Sequence, residues 1–258
     1  METRELAGKA AVVTGASRGI GAAAAVAFAE AGVDVVLAAR SKDALNEVAA
    51  AVRAAGARAE TVVCDVTDYA AVEAVVTLCR ERFGRLDILV NNAGVIDPVA
   101  HLSASDPEAW SHVIDVNVKG VYYGMRAAAP VMEAAGSGVI VNISSGAAVS
   151  AMEGWSHYCS SKAAVLSLTR CGEKELAPKG VRVIGLSPGT VATDMQRAIK
   201  SSGVNPVSQL AWDAHIPAEW AGKAVAWLAT QDAAEFDGTD VSLRQEDIRR
   251  RVGLLSEA

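Results

Sequence analysis

The chain has 258 residues, 51% of them hydrophobic, 21% charged and 5% aromatic, and a formal net charge of −6 at pH 7. That length suits one large α/β domain as well as two small ones, and so large an apolar share excludes a disordered or fibrous chain. The acidic balance excludes a general nucleic-acid binder, which needs a basic surface to displace counterions.

Residues 1–9 are polar and charged with no apolar signal core behind them, and no stretch reaches the ~18 uncharged apolar residues that cross a bilayer. A soluble, cytoplasmic protein is expected, with no membrane or nucleic-acid partner. The four cysteines, Cys64, Cys79, Cys159 and Cys171, show no C-x-x-C spacing, and the four histidines are scattered. Reduced thiols and no metal site are therefore expected.

Residues 10–14 form a short apolar run that meets Gly15-Ala16-Ser17-Arg18-Gly19-Ile20-Gly21, after which residues 22–31 read as a helix ending at Gly32. Strand, glycine turn and helix in direct succession let backbone N–H groups and the positive end of the helix dipole face a pyrophosphate. Side chains at Gly15, Gly19 or Gly21 would obstruct that approach. The spacing is G-x-x-x-G-x-G rather than the commoner G-x-G-x-x-G, and a tight turn with no ligand has the same letters. Residues 33–39 make a second apolar run ending at Arg40, where a dinucleotide site inspects the adenosine ribose. An acid there would bind the 2′-hydroxyl, whereas an arginine suits a 2′-phosphate. Arg18 can supply a second cation, so the pair favours NADP(H) unless both are simply solvated.

Residues 43–55 are helical and 58–64 strand-like, and Asp65-Val66-Thr67-Asp68 leads into a helix over 69–83 capped by Thr67 or Asp68. Residues 86–90 make a fourth strand ending in Asn91-Asn92-Ala93-Gly94, small residues that let a ligand lie close to the backbone or that simply turn the chain. Residues 106–133 read as one long helix entered at Ser105-Asp106-Pro107, with proline in the first turn. Asn117 falls inside it. Asparagine is a weak helix former, and a kink, a bound water and a solvent-facing side chain all remain open for it.

A fifth strand over 139–143 runs into Ser144, Ser145 and Gly146, and residues 155–176 read as a helix carrying Tyr158 and Lys162. Residues four apart lie on one face of a helix, so an ammonium sits beside a phenol. A cation within ~4–6 Å lowers the phenol from its ordinary value of about 10, and a serine hydroxyl from the neighbouring strand end could hold a substrate oxygen while Tyr158 moves the proton. Strand alternation does not decide between Ser144 and Ser145. The same Tyr-x-x-x-Lys spacing also arises on helices whose ring is packed and whose lysine is in water. Residues 181–186 supply a sixth strand, followed by Pro188, Gly189, Val191 and Thr193. From 195 to 215 the periodicity breaks down, which predicts a substrate-covering segment at 194–216. Residues 218–229 are helical and 239–243 form a short last strand.

Strands alternating with helices of ten residues or more imply right-handed βαβ units and a doubly wound, mostly parallel sheet of seven strands with helices on both faces, in a single domain. Ligands in such folds bind beyond the carboxyl ends of the strands. The glycine turn, Asp65, the Asn-Asn-Ala-Gly turn, the serine pair and Pro188-Gly189 each follow a strand, so all should converge on one edge of the sheet.

Taken together, Thr14-Gly15-x-x-x-Gly19-x-Gly21, Asn91-Asn92-Ala93-Gly94, Ser145, Tyr158-x-x-x-Lys162 and Pro188-Gly189 resemble the short-chain dehydrogenase/reductase family over nearly the whole chain. The resemblance implies a Rossmann fold and a tetrad: Asn117 holding a water that relays protons, Ser145 binding the substrate oxygen, Tyr158 as acid or base, and Lys162 lowering its pKa and holding the nicotinamide ribose. Ser145 is the serine the family's spacing selects, thirteen residues ahead of Tyr158. The resemblance also implies cofactor contacts from Gly15, Ser17, Arg18, Gly19, Ile20 and Gly21. It places Asp65 and Val66 at the adenine, Asn91, Ala93 and Gly94 along the adenosine side, and Val191 and Thr193 at the nicotinamide amide, with Pro188 and Gly189 also binding the cofactor. Arg18 and Arg40 imply NADP(H). Gly154-Trp155-x-x-Tyr158-Cys159-x-x-Lys162 with Thr193-Asp194-Met195-Gln196 looks like the sepiapterin reductase and benzil reductase branch, which reduces vicinal dicarbonyls. The implied function is an NADPH-dependent carbonyl reductase, reversible as an alcohol dehydrogenase, on a ketone, diketone or secondary alcohol. The alternative is a non-catalytic NADP(H)-sensing protein on the same fold. A homodimer or homotetramer paired through residues 106–133 and 155–176 is implied as well. The family's paired glycines after the last strand are replaced here by Arg244-Gln245-Glu246-Asp247 and Arg249-Arg250-Arg251, and no role is assigned to that charged tail.

Overall fold

The computed structural model describes residues 3–255. The apolar runs become seven strands, β1 Ala10–Thr14, β2 Asp34–Ala39, β3 Ala59–Val63, β4 Ile88–Asn91, β5 Gly138–Ile143, β6 Val181–Ser187 and β7 Asp240–Ser242. They form one sheet in the order β3-β2-β1-β4-β5-β6-β7, and all six ladders are parallel, where the sequence predicts a mostly parallel sheet. Because side chains alternate across a strand, each run feeds two cores. Ala11, Val13, Val35, Leu37, Ile88, Val90, Val141 and Ile184 face one side, and Val12, Val36, Leu89, Ile140 and Val183 face the other. The first face is covered by α1 (Gly19–Glu30), α2 (Lys42–Ala54) and α8 (Ala218–Leu228), the second by α3 (Tyr69–Phe83), α5 (Gly120–Ala135) and α6 (Ser156–Leu176).

The helix boundaries follow local chemistry. The Asp68 carboxylate accepts from Ala70 N and caps α3, and Gly84 stops that helix in the left-handed region at φ 78°. Asp106 caps α4 (Pro107–Ile114) by accepting from Ala109 N, with Pro107 at the first position.

Three stretches depart from the sequence reading. The single helix expected over 106–133 is two helices, α4 and α5, joined by a π-helical segment at Asp115–Lys119 whose Gly120 N–H bonds to Asp115 O. The stretch expected to lack regular structure opens with α7 (Asp194–Ser202) and continues as 3-10 turns at Pro206–Gln209 and Trp212–Ala214. The charged tail contains α9 (Glu246–Arg251), with acids in its first turn and arginines in its last, as the helix dipole favours, and with Ile248 buried.

The strand order reverses between β1 and β4, and crevices at such a reversal open beyond the carboxyl ends of the strands. A third apolar cluster of Ile96, Ala147, Trp155, Tyr158 and Ile199 lies beyond that edge. Among the described residues no helix is long and apolar enough to cross a membrane, and no group of three or more His, Cys, Asp or Glu is placed to hold a metal ion.

Candidate active site

The turn after β1 is stitched to the turn after β4. The Thr14 hydroxyl donates to Val90 O (3.2 Å) and accepts from Asn92 N (3.0 Å) and Ala93 N (3.2 Å). The Asn92 amide returns the link, donating to Thr14 O (3.0 Å) and Gly15 O (3.1 Å). Gly15 sits at φ 63°, and a Cβ there would lie 2.8 Å from Ala93 Cα; at Gly21 it would lie 2.4 Å from Gly15 O. Side chains are therefore excluded where the backbone must pass closest. Arg18, the N-cap of α1, makes no side-chain cap bond, and the first turn of α1 contains no acid. A helix that starts on a glycine turn with its first-turn N–H groups uncapped by any side chain fits a pyrophosphate.

From this turn a groove of about 1230 Å³ runs along the carboxyl edge of the sheet. Gly15, Ser17, Arg18, Gly19 and Ile20 line it beyond β1, Arg40 beyond β2, Asp65 and Val66 beyond β3, and Ala93 and Gly94 beyond β4. Ser145, Tyr158 and Lys162 line it beyond β5, and Pro188, Gly189, Val191 and Thr193 beyond β6. Three of the expected residues lie behind that lining. Gly21 is under the turn. Asn91 is buried, and its amide donates to Asn142 Oδ1 (2.9 Å) on the α6 side of the sheet, because it alternates with Val90, which faces the other core. That hydrogen bond commits the Asn91 side chain to the interior of the sheet. Asn117 is buried as well. Its Oδ1 accepts from Val95 N (2.8 Å), and its Nδ2 donates to Val95 O (2.9 Å) and Ser161 Oγ (3.0 Å). Of the three readings left open, a solvent-facing Asn117 is excluded; it ties the strand β4 exit to α6 from within the π-helical segment.

Tyr158 and Lys162 share the buried face of α6, as their spacing predicts. The Tyr158 ring meets Trp155 edge-on at 5.6 Å between centroids, and the Lys162 ammonium lies 5.5 Å from the Tyr158 centroid while donating to Ile143 O (2.8 Å). Ser145 caps the following 3-10 turn by accepting from Ala147 N (3.2 Å), and its hydroxyl favours the ionised form of the Tyr158 phenol. Ser144 instead donates to Asp240 Oδ2 (3.0 Å), so the structure separates the two serines that the sequence alone could not. Burial pushes the Tyr158 phenol up to about 12, against the opposing pull of the Ser145 hydroxyl. Burial also brings the Lys162 ammonium down to about 8, with the Asp240 carboxylate working to raise it. Desolvation thus disfavours the charged form of each group in the protein alone.

The two cations differ. Arg40 is exposed at the end of β2, and its charge helps hold the Asp65 carboxyl below the usual carboxylate range, behind the stronger effect of bonds from Thr67. Arg18 bridges to Asp194 at the start of α7 (2.9 Å) across exposed surface, a link with no sequence signal. Arg244 and Arg249 also line the groove, although the charged tail carried no motif to announce it.

A family model described as short chain dehydrogenase matches residues 9–203. An uncharacterized oxidoreductase of Staphylococcus saprophyticus is 45% identical over 192 residues, covering 74% of this chain and 82% of its own. Cis-4-hydroxycyclohexanecarboxylate dehydrogenase of Sinomonas cyclohexanicum is 39% identical over 234 residues, covering 88% and 91%. The crystal structure of an NAD+-bound xylitol dehydrogenase superposes with a TM-score of 0.87 at 28% identity, covering 93% of this chain and 98% of that one.

Proposed function

The chain belongs to the short-chain dehydrogenase family of oxidoreductases, and from that premise we propose that it transfers a hydride between NADP(H) and a ketone, diketone or secondary alcohol. One observation carries this reading: Ser145, just beyond β5, and Tyr158 and Lys162, on α6, line the same groove as the glycine turn that opens α1. The dinucleotide, when bound, supplies or accepts the hydride. The protein's own part is to hold the substrate oxygen and move a proton to or from it.

Ser145 donates a hydrogen bond to the substrate carbonyl oxygen, and Tyr158, protonated across the neutral range, gives its phenolic proton to that oxygen as negative charge develops there. Lys162 places a cation beside the phenol to stabilise the tyrosinate left behind, and its position against Gly94 and Ile143 O suits it to hold a ribose. With its side-chain amide committed to Val95 and Ser161, Asn117 offers its backbone to a proton-relaying water. Gly15 to Gly21 take the pyrophosphate, Asp65 and Val66 the adenine, Asn91, Ala93 and Gly94 the adenosine side, and Val191 and Thr193 the nicotinamide amide, with Pro188 and Gly189 as further cofactor contacts. Arg40 is the principal reader of a 2′-phosphate, supported by the absence of an acid at its position; Arg18 divides its charge with Asp194. Segment 194–216 covers the substrate, with Met195 and Val207 extending the apolar cluster around Tyr158. That wall supports a mainly apolar substrate, and the dehydrogenase relative named for a hydroxycyclohexane acid supports a secondary alcohol as its reduced form. Pairing into a homodimer or homotetramer is proposed through α5 and α6, where Tyr122 is exposed.

Tyr158→Phe removes only the phenolic hydroxyl and with it the transferable proton. NADPH binding, followed by the quenching of its fluorescence, is expected to stay within about threefold, while NADPH oxidation with 1-phenylpropane-1,2-dione falls by about two orders of magnitude or more. A variant that keeps wild-type turnover would overturn the assignment.

A further inference from the structure

A polar row crosses the sheet beneath the site. Asn91, Asn142, Gly185 and Asp240 are register partners on β4, β5, β6 and β7. All lie on the face opposite Val90, Val141, Ile184 and Val241, which is the face that α6 covers. Two residues further along β5 and β6, on the same face, are Ser144 and Ser187, both buried. Both donate to one oxygen of Asp240, Oδ2, at 3.0 Å from Ser144 and 2.7 Å from Ser187. The other oxygen, Oδ1, is buried and has no hydrogen-bond partner among the described residues. It lies over β6 because position 185 is glycine, where a Cβ would stand 3.0 Å from it. A carboxylate held by two hydroxyls and turned inwards is costly unless a cation answers it. Lys162 extends from α6 onto the same corner, donating to Ile143 O, the carbonyl that immediately precedes Ser144.

Resting on the role given to Lys162 above, we propose that Asp240 is a positioning residue: the counter-charge that keeps the Lys162 ammonium protonated and aimed at the groove, delivered across β6 by Ser144 and Ser187. The charge of each group favours the ionised form of the other, against the burial that disfavours both. Among the described residues, the charged or titratable groups reaching the pair are Arg170 of α6, which also favours the Asp240 carboxylate, and Tyr158, whose ring faces Lys162. From β5 and β6 the nearest side chains are the two serines, which carry no charge.

The test is a titration of the full-length protein labelled with [ε-13C]lysine and followed by NMR, with the Lys162 signal assigned by its loss in Lys162→Met. Asp240→Asn is expected to lower the Lys162 midpoint by about 1–3 pH units, the span an opposite charge commands at close range. Asp240→Glu is expected to restore most of it. The alkaline fall of NADPH oxidation with 1-phenylpropane-1,2-dione should move down in pH with the midpoint. If Asp240→Asn does not fold, Ser144→Ala/Ser187→Ala serves instead: stripped of its donors, the carboxylate takes up a proton more readily, and the Lys162 midpoint falls. A midpoint within about 0.3 units of wild type in a folded variant overturns the proposal. A shifted midpoint in a protein that turns over no diketone leaves the counter-charge standing and counts against the reductase reading; turnover with an unmoved midpoint does the reverse.

Discussion

Replacing Gly21 with alanine should damage the cofactor end of the groove without touching Tyr158 or Lys162. The new methyl would stand 2.4 Å from Gly15 O and 2.5 Å from Asn92 Nδ2, two atoms that bond each other at 3.1 Å. Neither can retreat alone. Gly15 O belongs to a turn that also packs on Ala93, and Asn92 Nδ2 donates to Thr14 O as well. Wedging them apart should cost about 1–3 kcal/mol of overpacking and about 1 kcal/mol for each of two weakened hydrogen bonds, roughly 3–5 kcal/mol in all. For a chain of this size that is a fall in Tm of roughly 6–20 °C by scanning calorimetry. The same displacement moves the turn proposed to face the pyrophosphate, so NADPH affinity, measured by fluorescence titration, should drop at least tenfold. Gly146→Ala is the control, since nothing lies within 4 Å of its added Cβ and its φ is not positive. Its Tm should stay within about 2 °C of wild type. A Gly21→Ala protein with wild-type Tm and NADPH affinity would refute the claim that this turn is sterically closed.

Two further outcomes follow from the same geometry. Arg40→Asp should raise the NADPH dissociation constant by about 10–100-fold, the worth of one or two charge-assisted bonds, while leaving NADH binding equal or tighter; if the wild type already binds NADH more tightly, the 2′-phosphate reading of Arg40 is wrong. Asn142→Leu keeps the shape of a side chain that accepts from Asn91 and donates to Thr169, but strands the Asn91 amide. The cost should be about 1–3 kcal/mol in urea melts, and Asn91→Leu/Asn142→Leu should recover part of it, because removing both members of the pair leaves no amide stranded while Thr169 still donates to Val165 O.

The strands were legible because their apolar runs are short, in the central strands buried on both faces, and bounded by glycine and polar punctuation; each begins and ends within two residues of its expected place. The gathering of chemistry on one edge followed from the strand–helix alternation alone. What the letters could not carry was set by contacts distant in sequence. The break in the helix at Asp115–Lys119 has only the weak helix former Asn117 to announce it, and the partners that hold that side chain, Val95 and Ser161, lie outside the helix. Helix α7 was missed because polar residues crowd its nine positions and only Gln196 and Ile199 are buried. The roles of Ser144 and Asn91 depend on which face their strands present, and Asp240 was invisible because a lone aspartate on a short last strand reads as an edge residue until Gly185 is seen beneath it. The spacing of Tyr158 and Lys162 likewise supplies the neighbouring charge but not the depth at which both are buried.

The π-helical segment leaves the chain with a fixed phase. Each residue in a helix turns the axis by about 100°, so losing one residue between Ile114 and Gly120 would give a smoother cylinder but swing α4 around relative to α5. Asn117 could then stay over Val95 only by abandoning Ser161, or the reverse. Substitutions along these two helices can accumulate, but a change in their length cannot pass unnoticed, so the distance from Asp106 to Gly120 is a count the fold has to keep.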